Sequence, residues 1–115
     1  TLLNPELNIA LGQSYVRHLL AQDLVNGNIF YLLCAYNAGP GNLKKWLPKT
    51  NFNDDPLLFI ESIRSRETRQ FIERVIANYW IYRIRLGQPT PSLDATAAGL
   101  WPSYSPQERN FADNE

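Results

Sequence analysis

The sequence predicts an all-α fold, and three observations carry that prediction. Asn4-Pro5-Glu6 and Asp55-Pro56 share one design, a capping side chain followed by proline at the first helical position. Residues 29 to 35 form a run that is apolar nearly all round, as a buried helix is. From residue 66 to about 86, apolar and aromatic residues recur at spacings of three and four. At 115 residues the chain amounts to one domain with a modest core.

Taken in order, the first helix starts at Asn4, with Pro5 at its first position and Glu6 placing negative charge on the positive end of the dipole. It is expected to run to about Gln22, with Ile9, Leu11, Tyr15, Val16, Leu19 and Leu20 as its apolar stripe. Gly12 within it points to close approach of a neighbouring backbone, since glycine inside a helix costs about 1 kcal/mol against alanine. Asn26-Gly27-Asn28 makes a turn, and Asn28 caps the second helix. After Gly39-Pro40-Gly41, residues 42 to 47 form a short helix with Trp46 inward and Lys44 and Lys45 outward, ended by Pro48. A loop follows, then a helix from 56 to 63 capped by Asp55, and Ser65 caps the last long helix, stopped by Gly87 and Pro89.

Beyond Gly87 the composition turns to Pro, Ser, Thr, Ala and acid. This segment, 88 to 115, is expected to be a proline-rich tail over the helices, anchored by Leu100-Trp101 and fraying at its end. Zero net charge hides an uneven distribution: net −1 over residues 1 to 63, +4 over 64 to 87 and −3 over 88 to 115. The arginines of the basic helix alternate with apolar residues and with Glu67 and Glu73, so a solvated, partly paired face is expected rather than a nucleic-acid surface.

Cys34, the only cysteine, sits in the apolar run as a small buried hydrophobe, and His18, the only histidine, has no second ligand at a useful spacing. Neither a metal nor a cofactor is expected. No stretch of eighteen apolar residues suits a membrane span. The chain contains no methionine and opens on Thr1-Leu2-Leu3 without a cap, which reads as a piece of something longer.

Ala35-Tyr36-Asn37-Ala38-Gly39-Pro40-Gly41 is the stretch expected to carry function. Gly39 can take the left-handed backbone that closes one helix, and Pro40 can open the next. A phenol and a carboxamide at such a corner lie at the edge of a cleft, delivered from a rigid element.

With Asn4-Pro5-Glu6-Leu7-Asn8-Ile9-Ala10-Leu11-Gly12 before this corner, the segment from Asp55 to Ile63 after it, and Glu67-Thr68-Arg69 opening an aromatic helix, the chain resembles the catalytic domain of soluble lytic transglycosylases, of the lysozyme superfamily. The resemblance covers residues 3 to 87 and departs from many members at Arg64-Ser65-Arg66, where they carry a proline. It implies an incomplete lysozyme-like domain over 1 to 87, acting on peptidoglycan glycan strands in the periplasm or cell envelope. The family cleaves the β-1,4 bond between N-acetylmuramic acid and N-acetylglucosamine and leaves a 1,6-anhydro sugar.

The resemblance further implies that Tyr36, Asn37, Glu67 and Tyr79 contact substrate, with Tyr79 also fitting a core position at helical spacing. The proton-transferring glutamate of the family lies in a Glu-Ser motif followed by Gly-Leu-Met-Gln, and neither motif is expected in this chain. Glu61-Ser62 is read as a decoy, because its surroundings match a later segment of the family. No catalytic residue is therefore expected here, and self-association is expected across the face that a missing segment would cover. The rival reading is a non-catalytic helical module that binds glycan or protein and uses the Tyr36-Asn37 corner only structurally.

Overall fold

The computed structural model describes residues 13–49 and 52–103, all-α apart from an isolated bridge between Asn28 and Ser103. The expected helix start at Asn4 and the packing role of Gly12 lie outside the described residues. Among the described residues six α-helices follow one another: α1 (Gln13–Leu20), α2 (Ile29–Ala38), α3 (Pro40–Trp46), α4 (Pro56–Ser62), α5 (Arg66–Arg85) and α6 (Pro91–Ala97).

Helix α2 is the centre of the fold. Ile29, Phe30, Leu32, Leu33, Cys34 and Ala35 are all buried, and α1, α3 and α5 pack around it, as a helix apolar on every side requires. The three caps read from the sequence that fall among the described residues are made. Asn28 Oδ1 accepts from Tyr31 N at 3.1 Å, Asp55 Oδ1 from Leu57 N and Leu58 N at 3.0 and 3.2 Å, and Ser65 Oγ from Thr68 N at 3.2 Å. Each satisfies helix-end amides that have no partner within the helix.

Gly39 differs from expectation. Its φ is positive at 96°, but its ψ of 145° is extended rather than left-handed helical, a combination open essentially to glycine alone. The reason is that one residue serves two helices: its N–H donates to Ala35 O at 2.8 Å to close α2, and its carbonyl accepts from Leu43 N at 3.2 Å to open α3. Asn42 Nδ2 adds a bond to Ala38 O at 2.7 Å. Helix α3 ends at Trp46, two residues before Pro48, and tightens there into a 3₁₀ turn, Leu47–Lys49, that includes the proline.

Helix α5 ends in a Schellman motif, with Gly87 at φ 69°, Gln88 N bonded to Arg83 O at 2.9 Å and Gly87 N to Ile84 O at 3.0 Å. The segment beyond it is more ordered than a tail. It forms α6, with Pro91 at its first position and a second Schellman end at Gly99, where Leu100 N bonds Ala95 O at 2.8 Å and Gly99 N bonds Thr96 O at 3.0 Å.

Of the expected anchors, Leu100 is exposed and Trp101 does the holding. The Trp101 ring lies 5.1 Å from Tyr31, 5.7 Å from Phe59, 5.8 Å from Phe52 and 6.5 Å from Phe30, and its Nε1 donates to Asp54 Oδ1 at 2.7 Å. Trp80 Nε1 donates to Ser92 Oγ at 2.9 Å, and Arg83 Nε to Pro89 O. Arg64, Arg66, Arg74 and Arg85 are exposed as expected, but Arg83 is the exception: it is fully buried, its guanidinium 5.7 Å from the Tyr79 ring and its Nε bonded to the returning segment.

Candidate functional site

The corner between α2 and α3 meets the first turn of α5. Asn37 Oδ1 accepts from Thr68 Oγ1 at 2.7 Å, and with Thr68 buried and Asn37 half-buried the bond is partly shielded from water. With Oδ1 engaged, the amide hydrogens are what Asn37 offers to a ligand. Glu67, one residue before Thr68, is exposed on the same turn. The connection into that turn is held by Arg69, whose guanidinium donates to the carbonyls of Ile63 and Arg64, which fixes the approach to α5 without a proline at 64 to 66.

Tyr36 is half-buried and stands in an aromatic row. Its ring is parallel to that of Phe71 within 3° at 6.1 Å and tilted by 54° against Tyr15 at 5.5 Å. Phe71 lies one helical turn beyond Glu67, and the Arg74 guanidinium lies 6.0 Å from its ring, so Glu67, Phe71 and Arg74 occupy one flank of α5. Tyr15 is 42% exposed and stacks at 6.1 Å on His18, which in turn meets Gln22 at 3.2 Å.

Of the four residues expected to touch substrate, the corner thus gathers Tyr36 and Asn37 against the turn that carries Glu67. Tyr79 is elsewhere: it is 2% exposed, on the core side of α5 beside Ile72, Val75 and Ile76. Three contributors were not singled out from the sequence. Thr68 was read only as part of a motif, while Tyr15 and Phe71 were read as members of apolar stripes. For Phe71 the spacing of four from Glu67 was the available signal, whereas nothing local pairs Tyr15 with Tyr36.

Beneath the site, Cys34 has its thiol pKa pushed up to about 12 by burial, which keeps it neutral and unreactive. Tyr31 titrates above its ordinary value, first through burial and then through the negative charge of Asp54. Among the described residues no three His, Cys, Asp or Glu side chains group as metal ligands, and no helix is long and apolar enough to cross a membrane. Glu61 does not join the corner; it lines a separate groove between α4 and α5 together with Glu73.

Comparison with known proteins gives a family for this capped all-α core with its Tyr-Asn corner and Glu-Thr-Arg turn. The family model of the transglycosylase SLT domain matches residues 1–59, and the chain belongs to that family. It is similar to the soluble lytic murein transglycosylase of Escherichia coli (strain K12), 37% identical over 98 residues that make up 85% of this chain and 15% of that protein. The soluble lytic murein transglycosylase of Salmonella typhimurium is 39% identical over 87 residues, 76% of this chain and 13% of its own length. A putative soluble lytic murein transglycosylase of Haemophilus influenzae is 29% identical over 92 residues. The chain therefore spans about 15% of the length of the curated relatives it matches. No solved structure gave a match.

Proposed function

We propose that the chain forms one wall of the glycan cleft of a peptidoglycan lytic transglycosylase, in the periplasm or cell envelope where that polymer lies. Tyr36 and Asn37 position the sugar at the reacting bond, and Glu67 contacts it as a second carboxylate. The acid that drives the reaction comes from outside these residues. Residues 1–87 are the catalytic-domain part, and residues 88–115 are an appended segment, of which 88–103 fold back onto α5.

The observation that carries the reading is the bond of 2.7 Å between Asn37 and Thr68, which joins the two motifs across thirty-one residues of sequence and brings the Asn37 amide to the helical turn that carries Glu67. Glu61 fits the role of acid poorly, because it lines a groove on another flank of α5. Tyr79, enclosed by the core, supports the wall rather than touching sugar.

In the reaction so assigned, an acid protonates the leaving oxygen as the bond to C1 breaks. The sugar's own C6 oxygen then closes on C1, and the C6 hydroxyl proton returns to the same carboxylate. No water is consumed. The residues of this chain contribute orientation, and misplacement by about 1 Å is worth roughly 10²-fold in rate.

Release of anhydro-muropeptides from purified cell walls tests the proposal. These 115 residues alone should release none, and joining them to a segment that supplies the acid should restore release. Lytic activity from the chain alone would return the acid to Glu61 or Glu67. Self-association is measured by sedimentation, where a strictly monomeric species at high concentration would remove it from the proposal.

A further inference from the structure

The flank of α5 that begins at Glu67 continues past the corner as a polar stripe. Glu67, Gln70, Phe71, Arg74 and Asn78 stand at i, i+3, i+4, i+7 and i+11, which keeps them on one side of the helix. All are exposed except Phe71, which is half-buried. Phe71 is the link to the corner, because its ring lies parallel to that of Tyr36 at 6.1 Å. The same ring carries the Arg74 guanidinium 6.0 Å from its centre.

Opposite charges therefore share the stripe, Glu67 and Arg74, about 10 Å apart along the axis at about 1.5 Å per residue. Glu73 adjoins Arg74 in sequence, but adjacent residues on a helix do not face each other. Among the described residues Arg74 pairs with no carboxylate, and its contact with the Phe71 ring places the guanidinium without neutralising it. A guanidinium is a planar fork of donors that meets a carboxylate through two parallel bonds, and one already resting on a ring is partly ordered before a ligand arrives. Gln70 and Asn78 flank it with neutral amides, which suit hydroxyl and acetamido groups.

In a glycan cleft the matching negative charge has a definite source. N-acetylmuramic acid is N-acetylglucosamine bearing a lactyl ether, whose carboxyl group is either free or amide-linked to a peptide with carboxylates of its own. We infer that Arg74 binds a carboxylate of the glycan strand, so that the cleft distinguishes muramyl strands from chains of N-acetylglucosamine alone. The inference rests on the cleft reading proposed above. Glu67, two turns back, repels the same carboxylate, so the charge pattern also sets the direction in which the strand lies.

Three soluble probes, titrated into the isotope-labelled full chain and followed by amide chemical shifts, test this. Chitotetraose has the acetamido sugars and no carboxylate. The disaccharide N-acetylglucosaminyl-N-acetylmuramic acid has the free lactyl carboxylate, and its alanyl-glutamate conjugate has only peptide carboxylates. Arg74→Gln should weaken a carboxylate probe about fivefold, the scale of an exposed ion pair, and leave chitotetraose unchanged; Arg74→Lys should retain part of the preference. Loss on the free acid places the lactyl group at Arg74, and loss on the conjugate places the peptide there. Added salt should erode the preference without touching chitotetraose. Equal weakening of all three probes, or of none, would overturn the inference. Asn37→Ala separates the two claims: it should weaken all three probes, and if it weakens none the cleft reading falls as well.

Discussion

The Tyr36-Asn37 corner and the returning segment 88–103 are both fixed by side-chain bonds reaching far along the chain, yet to opposite ends. At the corner a single bond, Asn37 to Thr68, is buried on the Thr68 side while Tyr36 and Asn37 stay half-exposed. Three side chains hold the returning segment, Trp80 and Arg83 from α5 and Trp101 from the segment itself, and each bonds a partner while its apolar body or stem enters the protein interior. The first arrangement aims groups outward from a rigid helix end. The second adds cover to a small core, where each large aromatic matters to stability.

That contrast is broken most severely at Asn37. In a longer protein that supplies the acid, Asn37→Ala should lower anhydro-muropeptide release about 100-fold or more. Its loss of stability in urea should be only about 1–3 kcal/mol, the range for a buried hydroxyl left without its partner. A fall in activity no larger than the fall in folded fraction would make the corner structural. Trp101→Ala should do the reverse. It should remove about 3 kcal/mol of stability, the low end for deleting a large aromatic side chain, while leaving activity per folded molecule unchanged.

Gly39→Ala sharpens the comparison at lower amplitude. A Cβ there meets nothing within 4 Å, so the whole effect is backbone strain at φ 96°, about 1–3 kcal/mol by chemical denaturation.

The smallest effect is alkaline. Tyr31 lies under Trp101, and its folded pKa is raised above the ordinary 10.0. Its contribution to stability is thus complete below pH 10 and is lost as pH rises through the folded value, because the unfolded chain gives up the proton first. Cys34 acts with the same sign between 9.0 and about 12. Tyr31→Phe should flatten the stability profile above pH 10 and leave the Cys34 part in place, as read from denaturation midpoints at pH 8, 9.5 and 10.5.

What could be read from the sequence follows from the range of the interactions. Caps at Asn28, Asp55 and Ser65, the burial of α2 and the Gly-Pro corner are local chemistry, written within a few residues of where they act. Arg83 was misread because its sequence neighbours on α5 are those of a solvated arginine, while its Nε bond to Pro89 O depends on the path of the returning chain. Helix α6 was missed although Pro91 and Gly99 mark its ends, since its composition of Pro, Ser, Thr and Ala outweighed those marks. At the site, Tyr36, Asn37 and Glu67 were legible through motifs. The roles of Thr68, Phe71 and Tyr15 depend on helix-to-helix pairing that no local pattern states.

The far end of the returning segment has a kinetic consequence. Pro102 O accepts from Ile29 N at 2.9 Å, so one of the first amides of the central helix is satisfied by almost the last described residue of the chain. That contact closes a loop from residue 29 to residue 102, whose entropy cost is repaid only by contacts formed along it, so it is expected late on the folding route. Interactions absent from the transition state act on the rate of opening rather than of closing. The segment 88–103 is thus a latch, and its loss should shorten the lifetime of the folded state while leaving the speed of its formation nearly unchanged.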